Sequence, residues 1–123
     1  MSGVGVLTVH PDEDARRAAR GVVNATPGFK EVGTAGSAEE ALELAVTLRP
    51  GLALVAAEMP GIDGLETSRR LVGAVPETVV CILHTAAEPD ADALAGSGAA
   101  TVLHVDALTR SALQALWEQH RTR

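Results

Sequence analysis

The sequence predicts an α/β domain, a five-stranded parallel sheet with helices on both faces. Three observations lead there. Five short apolar runs alternate with five segments of helical period, the order that builds a parallel sheet. The third run, Leu52 to Ala57, is apolar throughout, as in a strand buried on both faces. Proline stops the first three helices, at Pro27, Pro50 and Pro76. In such a sheet the crossovers are right-handed. Function then sits at the carboxyl ends of the strands, near the switch in strand order.

The first strand is Val4 to Val9, rich in β-branched residues and bounded by Pro11. Asp12, Glu13 and Asp14 put negative charge at the start of a helix over Ala15–Ala25, where the helix dipole favours it. The second strand is Lys30 to Ala35. Ser37 and Glu40 have capping-box spacing, and Ala41, Leu42, Leu44, Ala45 and Leu48 follow at helical period. After the third strand, Met59 to Gly64 is a loop, with Asp63-Gly64 read as a turn in which Gly64 permits positive φ. A helix over Leu65–Val75, a strand over Thr78–Leu83, a short helix over Asp90–Ala95, a strand over Ala100–Val105 and a helix over Ser111–His120 complete the chain. No linker, repeat or low-complexity tract interrupts it, so residues 1–123 are expected to form a single domain.

Composition excludes several classes. The net charge of −6 opposes direct binding of a nucleic-acid backbone, and Phe29 and Trp117 are too few aromatics for a base-stacking platform. One cysteine, Cys81, rules out an internal disulfide and reads as core rather than nucleophile. No apolar run approaches the length of a membrane span, and residues 1–10 lack the basic start of a signal peptide. A cytoplasmic protein is expected. Gly3 and Gly5 do not make a phosphate loop.

The stretch Met59-Pro60-Gly61-Ile62-Asp63-Gly64-Leu65-Glu66 resembles the loop after the third strand of response-regulator receiver domains. Pro27-Gly28-Phe29 before strand two, Ala35 to Leu42 opening helix two, and Gly98-Ala99-Ala100 before strand five agree in order and spacing. The wording is most similar to receivers that precede a LuxR-type helix-turn-helix. The resemblance implies the three-layer, flavodoxin-like (βα)5 fold. It also implies a phosphorylation site, with an acidic pair after strand one for Mg²⁺, an acceptor aspartate ending strand three, a Thr or Ser ending strand four and a Lys ending strand five.

Counted onto this sequence, the acidic pair falls on His10 and Pro11, and the acceptor on Ala56. The hydroxyl falls on His84, with Thr85 beside it, and the lysine on Val105. A methyl has no oxygen to attack phosphorus. A hard cation without carboxylates lacks ligands, and a valine cannot neutralise phosphoryl charge. Sliding the register by two to put Glu58 at the acceptor breaks the match at Met59-Pro60. The degenerate site is therefore not expected to perform phosphotransfer, and no cofactor is expected. Glu58 is read as a solvated carboxylate, or alternatively as a fixed negative charge that imitates phosphorylation.

His10, His84 and His104 fall near the carboxyl ends of their strands. His10 and His84 can be read as a metal pair with Glu58 or Asp12 as third ligand, or as polar residues filling a vacated pocket; the second reading is favoured, since the spacing matches no metal motif. Strand alternation turns His104 and Val105 to opposite faces. Leu113, Leu116 and Trp117 share one helix face and are the candidate interface residues, the leucines being read alternatively as core and Trp117 equally as core or interface anchor.

The expected function is that of a phosphorylation-independent receiver. It is expected to homodimerise and control a transcriptional output through helix four, strand five and helix five. That output is expected to be either a DNA-binding domain, which these residues do not contain, or a separate protein. The alternative is a small-molecule or metal sensor that uses the vacated pocket lined by His10, Ala56, His84 and Val105.

Overall fold

The computed structural model describes residues 3–121; residues 1–2 and 122–123 of the single domain expected from the sequence lie outside the described residues. Five parallel strands form one sheet in the order β2-β1-β3-β4-β5. They are β1 (Val4–Val9), β2 (Phe29–Ala35), β3 (Leu52–Ala56), β4 (Val79–His84) and β5 (Thr101–His104). The helices are α1 (Glu13–Ala25), α2 (Ala38–Leu48), α3 (Gly64–Ala74), α4 (Ala91–Gly96) and α5 (Arg110–His120). Among the described residues no helix is long and apolar enough to cross a membrane.

Side-chain chemistry sets the boundaries. Asp12 is the cap of α1, and its carboxylate accepts from the Ala15 amide at 3.0 Å, so the helix starts two residues before the sequence placed it. At α2, Ser37 Oγ accepts from the Glu40 amide at 3.2 Å. Glu40 Oε1 reaches back to the amide of Gly36, at 2.8 Å, one residue beyond the usual partner in a capping box. Arg49, at φ 46°, closes α2 in the left-handed conformation before Pro50 is reached.

The Asp63-Gly64 reading needs correction. Gly61, at φ 80°, supplies the positive φ of the loop, and Gly64 has none. Asp63 caps α3 by accepting from the Glu66 amide at 2.9 Å. Gly64 is required because a side chain there would collide with the Ala56 carbonyl. This glycine lets the start of α3 lie against the end of β3. Strand β5 also stops earlier than expected. A single 3-10 turn over Val105–Ala107 follows it, with His104 Nδ1 accepting from the Asp106 amide at 3.0 Å.

The sheet divides the core in two. One face packs Leu7, Val9, Val55, Val80 and Ile82 against Ala41, Ala45, Leu71 and Val75 of the α2–α3 layer. The other packs Val6, Leu54, Cys81 and Leu83 against Val23 of α1 and Leu113 and Leu116 of α5.

Candidate functional site

The site lies where the carboxyl ends of β1, β3 and β4 meet the turn after β5. Because neighbouring parallel strands share their in–out pattern, the register decides which side chains converge. Ala56 of β3 pairs with Leu83 of β4. His10, Ala56, Glu58, Leu83 and Thr85 surround a small cavity of about 80 Å³. Ala56 is 3% exposed and offers a methyl group where the resemblance puts the phosphoryl acceptor.

A larger cavity, of about 400 Å³, shares His10, Leu83 and Thr85 with the small one. It runs beneath α1, whose Ala15, Ala18, Ala19 and Val22 form one wall. Val105, Asp106 and Leu108 line its far side, and Thr8 of β1 lines it from the sheet. Thr8 is 1% exposed, and its hydroxyl has no hydrogen-bond partner among the described residues. An unsatisfied buried hydroxyl of this kind costs about 1–3 kcal/mol.

The histidine expectations change most. Strand β3 separates the ends of β1 and β4, so His10 and His84 are not brought together. His84 instead pairs in register with His104, and their rings meet edge-to-face with centroids 5.2 Å apart. His84 Nδ1 sits 3.1 Å from the Ala86 carbonyl, which only accepts, so that nitrogen carries the proton. The hydroxyl position counted onto His84 is thereby corrected: His84 does not line the small cavity, and Thr85, the residue beside it, brings a hydroxyl there with Leu83. Thr85 Oγ1 donates to Glu58 Oε1 at 3.3 Å across the small cavity, so exposed Glu58 is held at the rim.

His10 accepts from the Asp12 amide through Nδ1 at 3.0 Å, which fixes the neutral tautomer with Nε2 as donor. Burial lowers its pKa below 6.5; Asp12 opposes the shift and Arg16 adds to it. Pro11 offers no side-chain donor. Magnesium, which the family resemblance implies, does not fit this set. The imidazole Nδ1 is occupied, a methyl stands at Ala56, and Asp12 is committed to capping α1. No group of three His, Cys, Asp or Glu able to hold a metal occurs among the described residues.

The expected interface residues also need correction. Leu113 and Leu116 are 0% and 5% exposed within the α1–α5 core and cannot anchor a partner. Trp117 is half-buried against Phe29, ring centroids 6.4 Å apart, beside Gly51 at the opposite end of the sheet from the site. Cys81 is buried, and its thiol pKa is pushed up to about 12, so it is core.

Sequence reasoning missed Thr8, Leu83 and the α1 wall. Thr8 carried a signal, being the one hydroxyl in an aliphatic strand and two residues from His10 on the same face. The alanines at Ala15, Ala18 and Ala19 were legible as helical but not as the side of a cavity.

A 2-1-3-4-5 parallel sheet with its crevice at the β1/β3 switch defines a doubly wound α/β domain that works at its carboxyl edge. The chain belongs to the response regulator receiver domain family, whose profile matches residues 6–115. The fold is similar to the signal receiver domain of a NarL response regulator from Mycobacterium tuberculosis, with TM-score 0.86, 25% identity and full coverage of both chains. It also resembles the response regulator domain of Thermotoga maritima CheB, with TM-score 0.81, 22% identity, and 94% and 95% of the two chains covered. Among curated relatives, a protein-glutamate methylesterase/protein-glutamine glutaminase of Myxococcus xanthus is 40% identical over 77 residues, which are 63% of this chain and 22% of that protein. The response regulator GacA of Pseudomonas viridiflava is 34% identical over 98 residues, 79% of this chain and 46% of that protein. The chain thus spans less than half of these relatives.

Proposed function

We propose that this receiver domain signals without being phosphorylated, as a protein-interaction module rather than an enzyme. The observation that carries this reading is Ala56, a buried methyl at the carboxyl end of β3 with no oxygen to accept a phosphoryl group. His10, Pro11 and Val105 at the flanking positions support it, since none supplies the carboxylates or the ammonium that phosphotransfer needs.

The output is transcriptional, and the domain homodimerises through α4, β5 and α5. Support for that face is its exposure. Strand β5 lies at the sheet edge with its four residues half-exposed, and α4 buries none of its residues. The signal passes either to a DNA-binding domain of LuxR type outside these residues or to a separate protein. A cytoplasmic setting suits the single unpaired thiol. A second reading, a sensor that binds a small molecule at the altered site, is favoured by the cavity of about 400 Å³.

The test is intact-mass spectrometry after incubation with acetyl phosphate and Mg²⁺, with sedimentation velocity on untreated protein. An unchanged mass and a dimer without phosphodonor are the expected results. A stoichiometric phosphoryl adduct overturns phosphorylation independence, and a monomer at all concentrations overturns constitutive dimerisation.

A further inference from the structure

We infer that the cavity beneath α1 is a binding site for a compact, uncharged hydrophobic alcohol or phenol. This deepens the sensor reading and does not depend on whether the domain can be phosphorylated.

Size comes first. About 400 Å³ falls within the range of roughly 300–1,000 Å³ typical of small-molecule sites. The space opens to solvent, since Asp12, Ala18, Thr85 and Asp106 on its lining are exposed, so its apolar walls stay wetted until an occupant covers them. The wall is aliphatic. Ala15, Ala19 and Val22 face it from α1, and Leu83 and Leu108 from the other side. An apolar body fits there and removes that surface from water.

The polar groups select the head. Thr8 Oγ1 is buried without a partner and belongs to the residue lining the cavity from β1. It can donate and accept, which matches a hydroxyl. At the mouth, His10 is held neutral with Nε2–H as a second donor. Charge selects against anions. No Lys or Arg lines the cavity, whereas Asp12 and Asp106 do. A carboxylate or phosphate entering this space would meet the like charge of Asp12 and Asp106, and the cation at the mouth, Arg16, is already engaged through Nη1 with the His10 carbonyl at 2.6 Å.

The test uses the intact chain without any phosphodonor, followed by methyl and amide NMR shifts during titration. Three matched probes are used: 1-naphthol, naphthalene and 1-naphthoate. The expected result is saturable shifts for 1-naphthol at the methyls of Ala15, Ala19, Val22 and Leu83 and at the Thr8 amide. Binding of 1-naphthoate should be at least about tenfold weaker. Thr8→Val should reduce 1-naphthol affinity by about fivefold to tenfold while leaving naphthalene unaffected, and Thr8→Ser should retain the preference. Ala19→Leu should abolish binding of all three. Ala15→Leu serves the same purpose if Ala19→Leu loses its native shift dispersion.

Absence of saturable shifts at those methyls overturns the site and leaves the cavity to solvent. Equal affinity for 1-naphthol and 1-naphthoate, or a Thr8→Val variant that binds 1-naphthol as well as the native chain, overturns the assigned chemistry. A phosphoryl adduct on the protein would sink phosphorylation independence without touching any of these titrations.

Discussion

The two faces of the sheet are packed to different standards. On the α2–α3 side, Leu71 and Val75 close completely over Val80 and Ile82. On the α1–α5 side, Val23, Leu113 and Leu116 seal the sheet near Leu52 and Cys81, but toward the carboxyl ends the layer opens into the cavity under α1. The difference falls at the family's phosphorylation site. Ala56 and Val105 are shorter than the aspartate and lysine that the family resemblance places there, and α1 presents alanines to the space. The closed face carries the stability of the fold, and the open corner carries its individuality.

The largest expected effect tests the closed face. Leu71→Ala removes a side chain of 0% exposure and should lower the unfolding free energy by about 2–5 kcal/mol, read from urea titration. The matching change on the open face has the opposite sign. Ala19→Leu fills part of the cavity and should raise stability by about 0.5–2 kcal/mol. If both substitutions destabilise equally, the two faces are equally packed and the comparison fails.

Thr8→Val comes next. It exchanges an unpartnered buried hydroxyl for a methyl of nearly the same shape and should stabilise the protein by about 1 kcal/mol in the same titration. A loss of stability would mean that the hydroxyl is satisfied by an internal water, and the open corner would then be wetter than its walls imply.

What the sequence shows follows the same division. The strands and helices were legible because their signals are local. Ser37, Pro27 and the apolar run Leu52–Ala56 each act within a few residues. The place of Ala56 at the end of β3 was legible too, because the adjoining Met59–Glu66 stretch anchors that register, whereas Val105, expected to end strand five, lies in the turn after it. The histidine pairing was not. His84 and His104 meet because β4 and β5 are neighbours, while β3 separates His10 from His84, and strand order is written only in long-range contacts. Gly64 is a similar case. Its need is set by the Ala56 carbonyl, not by its own φ.

A smaller, pH-dependent effect comes from His10 at the cavity mouth. Its pKa is lowered chiefly by burial, so the folded state resists a proton that the unfolded chain takes up near 6.5. The unfolded state therefore binds more protons, and stability is full above 6.5 and declines as pH falls below that value. His10→Gln should flatten this decline between pH 7.5 and 5 in urea midpoints. An unchanged slope would show that the mouth is fully solvated.

The smallest expected effect is none, and it is the most specific to the open corner. In a site that gathers several carboxylates, unit charges about 4 Å apart repel by up to about 4 kcal/mol at an effective dielectric near 20, and a divalent cation offsets that repulsion. A ligand that binds only the folded state raises its stability in proportion to RT ln(1 + [L]/Kd). At the positions where the family resemblance places those carboxylates this chain has His10, Pro11 and Ala56, so the proposed reading leaves no such repulsion to offset. His10 lends its free nitrogen pair to the Asp12 amide, Asp12 caps α1, and Glu58 accepts from Thr85 at the exposed rim. Millimolar Mg²⁺ should therefore leave the Tm unchanged. A concentration-dependent rise would mean that Glu58 and Asp12 leave their present partners to meet the ion, and the corner would then be a rearranged metal site rather than an apolar one.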